Sequence, residues 1–93
     1  MKRAVMSRGN VFLDLGFPRE EAAVLKMRSD LMCGLREFIR HGKLTQTQAA
    51  RRLGVSQSRV SDLVRGKWEK FSLEMLIILA ARAGHKVEVR IVA

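Results

Sequence analysis

The stretch LTQTQAARRLGVSQSRVSDLVRGK, residues 44–67, decides the fold of this chain. Thr45 and Ser56 can each cap a helix, because a hydroxyl oxygen accepts a hydrogen bond from the free backbone N–H groups of the first turn. Gly54 stands between these caps, where a residue without a Cβ atom reaches positive φ at no steric cost. The pattern predicts two short helices joined by a tight turn, at residues 45–65.

The apolar residues of this stretch recur on one side of both predicted helices, and Ala50 is small enough for a close crossing. That arrangement is typical of a helix-turn-helix, whose second helix enters the major groove of DNA. The exposed side chains at the start of the second helix can donate and accept hydrogen bonds at base edges. The inward-facing set is Leu44, Leu53, Val55, Val60 and Leu63. The candidate base-reading residues are Gln57, Ser58, Arg59, Ser61 and Asp62.

The size and charge of the chain agree with such a module. Its 93 residues suit one domain with a modest core. Lys and Arg number 18 against 9 Asp and Glu, which gives a formal net charge of +9. This excess favours a polyanionic partner, and most of it lies in residues 31–93, with the motif and its flanks. A basic surface selected for solubility is the alternative, but together with the motif the charge favours nucleic acid over an anionic membrane surface.

Several classes of protein are disfavoured by what the sequence lacks. The single cysteine, Cys33, permits neither an intrachain disulfide nor a multi-cysteine zinc site. No run of about 18 apolar residues and no signal-peptide core is present, so we expect a cytoplasmic protein outside the membrane. His41 and His85 are far apart, and no carboxylate cluster or glycine-rich phosphate loop accompanies them. We therefore expect no enzyme activity, no metal and no cofactor.

Upstream of the motif, the sequence predicts an N-terminal arm and a long helical region. Residues 1–17 comprise a basic arm followed by an extended segment, VFLDLGF, at residues 11–17. Pro18 and the two glutamates that follow it mark a helix start. Apolar residues then recur at three- and four-residue steps, which predicts one long helix or two helices with a break near residues 28–30. Gly42 is the expected end of this region.

Downstream of the motif, a loop and a further helix complete the predicted bundle. Lys67 and Lys70 lie in the loop, where their charges can contact phosphates beside the second motif helix. Ser72 is the expected cap of the last helix and Gly84 its stop. The helical domain is therefore predicted to span residues 18–84.

The last residues, 85–93 (HKVEVRIVA), change to a two-residue period. Alternation of this kind predicts a half-buried β-strand, whose backbone needs a partner. The partner is either the segment at residues 11–13 or the same strand of a second subunit, and the alternative to a strand is an unpaired, flexible tail. We favour the second subunit, because antiparallel pairing about a two-fold axis is self-complementary and a dimer suits palindromic DNA. The predicted dimerisation residues are Val87, Val89 and Ile91.

Residues 44–67 resemble the motif of the Xre/Cro family of helix-turn-helix regulators. The matching positions are Leu44, Gln46, Ala50, Gly54, Val55, Ser56, Val60, Leu63, Gly66 and Lys67. The resemblance implies a mainly α, lambda-repressor-like bundle that binds DNA, to which the C-terminal β-strand adds pairing across a dimer. Gln46 falls on the family's phosphate contact, and Ser56 occupies the equivalent place at the second helix. The resemblance also implies that Gln57 and Ser58 occupy the family's base-contacting positions, with Ser61 and Asp62 on the next turn.

Nearly the whole chain, from NVFLDLGF to GHKVEVRIV, resembles the small HigA-like antitoxin subgroup. This resemblance implies a dimeric regulator that represses its own promoter in a toxin–antitoxin operon, with a RelE/HigB-like ribonuclease toxin as partner. One alternative is a stand-alone repressor. Another is a protein-interaction module that neutralises a toxin without contacting DNA. The basic charge weighs against the interaction module, since antitoxins that bind basic toxins are often acidic.

Overall fold

The computed structural model of the protein describes residues 9–92, and all regular secondary structure in this range is helical. The α-helices, in chain order, are α1 Val11–Asp14, α2 Arg19–His41, α3 Gln46–Leu53, α4 Gln57–Val64 and α5 Leu73–Arg82. A short 3-10 turn, Trp68–Lys70, lies between α4 and α5. The basic part of the predicted arm, residues 1–8, lies outside the described residues. Within residues 9–92, no helix has the length and the apolar content that a membrane crossing requires.

The helix α2 is continuous, so the second of the two predictions for this region, a break near residues 28–30, is wrong. It ends at Gly42, which keeps an ordinary helical φ of −77°, and Lys43 takes the left-handed conformation at φ 52°. A Cβ atom at Gly42 would lie 3.1 Å from the carbonyl oxygen of Phe38 and 3.3 Å from the side chain of Leu44. Glycine at this position therefore relieves a tight approach to Phe38 and Leu44, and it is not needed for positive φ.

The predicted extended segment before α2 is also wrong, because its first residues form the helical turn α1. The side chain of Asn10 accepts a hydrogen bond from the backbone N–H of Phe12 at 3.0 Å and donates one to the carbonyl of Ala22 in α2 at 2.9 Å. The aromatic rings of Phe12 and Phe17 meet edge to face at 6.0 Å. A capped turn satisfies this backbone locally, so residues 11–13 are not available as a strand for the C-terminal segment to pair with.

The core lies where α2, α3, α4 and α5 meet. The motif residues predicted to face inward do so, with Leu44 and Val55 only partly buried at its edge. Full burial of a large apolar side chain contributes about 1.5–3 kcal/mol, so this cluster holds α3 and α4 firmly against the long helix. The largest fully buried side chains are Leu35, Leu53, Val60, Leu63, Phe71, Leu76 and Leu79.

Residues 85–92 have no regular secondary structure in this single chain. They leave α5 through Gly84 at φ 88°, and the ring of His85 packs edge to face on Phe38 at 5.5 Å. Val87 packs against the core, whereas Val89 and Ile91 are exposed. The predicted C-terminal β-strand is therefore not formed within the described residues, because an unpaired segment has no second strand to satisfy its backbone.

Candidate nucleic-acid interface

Side-chain caps fix the start of both motif helices. The backbone N–H of Gln48 donates to Thr45 Oγ1 at 3.1 Å, and the backbone N–H of Thr45 donates to Gln48 Oε1 at 2.9 Å, which completes a capping box. Ser56 Oγ accepts from the backbone N–H of Arg59 at 3.2 Å. Between the helices, Gly54 takes the left-handed conformation at φ 69°. The caps and the turn predicted from the sequence are confirmed.

A residue outside the motif holds the turn from the other side. Arg82, at the end of α5, donates from Nη1 to the carbonyl oxygen of Leu53 at 3.0 Å. Its guanidinium also lies against the turn, where a Cβ atom at Gly54 would come within 3.3 Å of Nη1. The contact satisfies a carbonyl at the end of α3 and places a positive charge at the negative end of that helix. The sequence does not reveal this role of Arg82, because 29 residues separate the two partners.

The first turn of α4 presents the side chains suited to reading bases. Gln57 and Ser58 are both exposed. The amide of Gln57 has no hydrogen-bond partner within residues 9–92, so it is free for the bidentate contact that an amide makes with adenine. The hydroxyls of Ser56 and Ser58 lie 3.2 Å apart, and either can be the donor. Ser61, one turn further along, is half-buried.

Arg59 is engaged within the protein. Its Nη1 donates to the carbonyl oxygen of Lys70 at 3.0 Å, and its guanidinium lies over the ring of Phe71, with Cζ 4.6 Å from the centroid. Phe71 is itself buried, so the cation–π contact ties Arg59 to the core. The sequence placed Arg59 between two candidate base readers, and only packing reveals that it connects α4 to the following loop.

Asp62 lies close to both loop lysines. Its Oδ1 is 3.9 Å from Nζ of Lys67, and its Oδ2 is 3.8 Å from Nζ of Lys70. The backbone N–H of Lys67 donates to the carbonyl oxygen of Asp62 at 3.0 Å. The Asp62 side chain is 19% exposed, against 40% for Lys67 and 51% for Lys70. Three predicted contact residues are thus brought together at the side of α4.

The remaining predicted site residues occupy two separate places. Gln46 is the first residue of α3 and Ser56 precedes α4, so both lie at helix N-termini, where free N–H groups and the helix dipole favour phosphate. The three predicted dimerisation residues, 87, 89 and 91, lie in the C-terminal segment, where Val87 packs against the core and the other two are exposed.

Trp68 packs against the long helix. It is partly exposed, and the guanidinium of Arg28 in α2 lies over its ring, with Cζ 5.7 Å from the centroid. The Nε atom of Arg28 is buried and has no hydrogen-bond partner in the described part of the chain. The indole is thus held by a neighbouring side chain beside the lysine loop. Among residues 9–92, no three His, Cys, Asp or Glu side chains lie close enough together to hold a metal ion.

Comparison with known proteins identifies relatives over most of the chain. A family model described as a helix-turn-helix domain matches residues 11–92, a span that includes α1 and the C-terminal segment as well as the motif. A solved structure described as an XRE family transcriptional regulator is 34% identical in sequence, with a TM-score of 0.73. That match covers 78% of this chain and 82% of the other. No match was found among curated proteins.

Proposed function

Because the chain belongs to the XRE family of helix-turn-helix transcriptional regulators, we propose that it binds a specific operator sequence in double-stranded DNA. The observation that carries this proposal is the exposed, capped start of α4, which presents Gln57 and Ser58 beside a lysine-bearing loop. In proteins with this motif, the N-terminal residues of the second helix reach base edges in the major groove. We assign base reading to Gln57 and Ser58, with Ser61 on the next turn.

Phosphate contacts would come from residues around the first turn of α4. Gln46 and Ser56 lie at the two motif helix N-termini, and Lys67 and Lys70 flank α4 in the loop. Such contacts orient the protein on the duplex and supply sequence-independent affinity, which the net charge of +9 strengthens. Arg59 could contact a base only by giving up its contacts with Lys70 and Phe71, so we assign it to supporting α4.

We further propose that the functional form is a homodimer that pairs through residues 85–93. The alternating apolar side chains of Val89 and Ile91 are exposed in the single chain, and their backbone lies in no helix. Antiparallel pairing with a second copy would satisfy that backbone and bury these side chains. A two-fold dimer would present two α4 helices to half-sites about one helical turn, roughly 34 Å, apart.

The biological setting that we propose is that of an antitoxin repressing its own toxin–antitoxin operon, with a ribonuclease toxin as the protein partner. This proposal is based on the resemblance of the flanking segments to small antitoxins, and a stand-alone repressor is the alternative. A second candidate function, toxin neutralisation without DNA contact, is favoured by one observation. Val11 and Leu13 in α1, and Leu15 directly after it, are apolar and exposed, so this surface could bind a protein partner.

Fluorescence anisotropy with two duplexes tests the proposed function. One is the promoter fragment upstream of the chain's own coding sequence, and the other is a shuffled duplex of equal length and composition. We expect tighter binding to the promoter fragment, and Gln57→Ala should lower that preference by about 1–3 kcal/mol while leaving affinity for the shuffled duplex unchanged. Equal affinity of the wild-type protein for the two duplexes would refute sequence-specific binding.

A further inference from the structure

The loop after α4 is attached to that helix through both its backbone and its charges. Arg59 Nη1 donates a hydrogen bond to the carbonyl oxygen of Lys70 at 3.0 Å. The backbone N–H of Lys67 donates to the carbonyl oxygen of Asp62, also at 3.0 Å. The loop backbone therefore keeps both lysines beside α4. Their partly exposed ammonium groups can interact either with the Asp62 carboxylate or with an anion from another molecule.

The Asp62 carboxylate attracts the ammonium groups of Lys67 and Lys70 without forming a hydrogen bond to either. Both N–O distances, 3.9 Å to Lys67 and 3.8 Å to Lys70, exceed the range of a hydrogen bond. One carboxylate thus faces two ammonium groups, each 40% or more exposed, and cannot neutralise both. An arrangement of this kind weakens the local positive charge but does not lock either lysine in one orientation.

We propose that Asp62 is an intramolecular competitor of DNA phosphate for the ammonium groups of Lys67 and Lys70. This inference rests on the proposed DNA-binding function and deepens it by giving Asp62 a role other than base reading. In the free protein the carboxylate attracts the two lysines, and on binding the phosphates must displace it. Asp62 thereby limits the sequence-independent part of the affinity, which comes from phosphate contacts alone.

A double-mutant cycle tests the competition directly. The proteins are the wild type, Asp62→Asn, the double variant Lys67→Ala/Lys70→Ala and the triple variant that combines them. Each is titrated with the promoter fragment and with the shuffled duplex. All are compared at one salt concentration, low enough for the lysine-free proteins to bind measurably, since lowering salt strengthens every phosphate contact. Circular dichroism confirms that each variant is folded.

We expect Asp62→Asn to raise the affinity for both duplexes by about fivefold, the size of effect that a partly exposed ion pair can produce. In the lysine-free background the same substitution should change affinity less than about twofold. In a second series, in which the wild type and Asp62→Asn are titrated at higher salt, the gain should shrink, because screening weakens the attraction between the carboxylate and the lysines. Glu69→Gln is the matched control: it removes one carboxylate from the same loop, and Glu69 forms no ion pair in the described range. It should leave affinity nearly unchanged.

Three results would overturn the competition. If Asp62→Asn weakens promoter binding alone, Asp62 is a base reader. If its gain persists without the lysines, or if Glu69→Gln gives the same gain, the effect is one of net charge. A wild-type protein that binds neither duplex is a different outcome, because it refutes the proposed function itself and this inference with it.

Discussion

Arg82, the last residue of α5, donates a hydrogen bond from Nη1 to the carbonyl oxygen of Leu53, the last residue of α3, at 3.0 Å. The contact connects the helix that closes the bundle to the turn that sets the direction of α4. Because the acceptor is at the end of a helix, the guanidinium both satisfies an otherwise unpaired carbonyl and opposes the helix dipole. A residue outside the motif therefore helps to fix the turn that leads into α4.

Arg82→Ala should lower the free energy of unfolding by about 1–2 kcal/mol, since a hydrogen bond from a charged donor is lost. Urea unfolding followed by circular dichroism measures this change. The matched control is Arg51→Ala, which removes an exposed arginine from the same end of α3 that has no hydrogen bond or ion pair within residues 9–92. Arg51→Ala should change stability by less than about 0.5 kcal/mol. Similar losses in the two variants would mean that the Leu53 contact contributes nothing specific.

Alanine substitutions at two glycines should have effects of opposite sign. Gly54→Ala should destabilise the protein by about 1–2 kcal/mol, because φ 69° is strained for a residue with a Cβ atom, which would also lie 3.3 Å from Arg82. Gly34→Ala should stabilise it by about 0.5–1 kcal/mol, because Gly34 lies inside α2 and its Cβ would have no neighbour within 4 Å. Thermal melting compares the two variants. A stable Gly54→Ala protein would show that the turn relaxes without positive φ.

Substitutions at Ser56 should separate its capping role from its proposed contact with phosphate. Ser56→Ala should lower stability by about 1 kcal/mol, because the N–H of Arg59 loses its acceptor. Ser56→Asp should keep stability near that of the wild type, since aspartate caps as well as serine does. Its negative charge should nevertheless weaken binding to any duplex. Unfolding curves and anisotropy on the same samples measure both quantities, and undiminished DNA affinity in Ser56→Asp would place Ser56 away from the phosphates.

Arg59→Ala should reduce affinity for the promoter fragment and for the shuffled duplex by the same factor. The contacts of Arg59 with Lys70 and Phe71 support the loop, so their loss disturbs phosphate binding and leaves base discrimination intact. Stability should fall by about 1 kcal/mol as well. Arg59→Lys, which keeps the charge without the planar group, should restore only part of either property. A loss confined to the promoter fragment would instead identify Arg59 as a base reader.

The proposed dimer interface predicts that charge on one side of the C-terminal segment prevents association. Val89→Asp/Ile91→Asp should convert the dimer to a monomer, because the aspartates of the two copies would lie close together on the same side of the paired strands. Arg90→Ala lies on the alternate side of the same segment and should leave the dimer intact. Light scattering coupled to size exclusion reports the mass of each variant. A dimer that survives the double substitution would rule out pairing through this segment.

Local features of this fold were predictable from the sequence because they depend on residues a few positions apart. The caps at Thr45, Ser56 and Ser72 each join a side chain to a backbone N–H three residues later, and Gly54 meets a local need for positive φ. The inward-facing apolar set followed from helical periodicity in the same way. One local prediction is wrong, because VFLDLGF is predicted to be extended although Asn10 caps a helical turn there. Gly42 ends α2 as predicted, but with an ordinary helical φ instead of the positive φ of a glycine cap.

Tertiary structure alone decided which polar side chains are free to meet DNA. Gln57, Arg59 and Asp62 look equally available in the sequence, since all three lie on the same predicted helix. Packing against the loop leaves the amide of Gln57 exposed, commits Arg59 to Lys70 and Phe71, and brings Asp62 close to two lysines. These contacts join residues more than one helical turn apart, so they form only when the buried Phe71 has fixed the loop against α4.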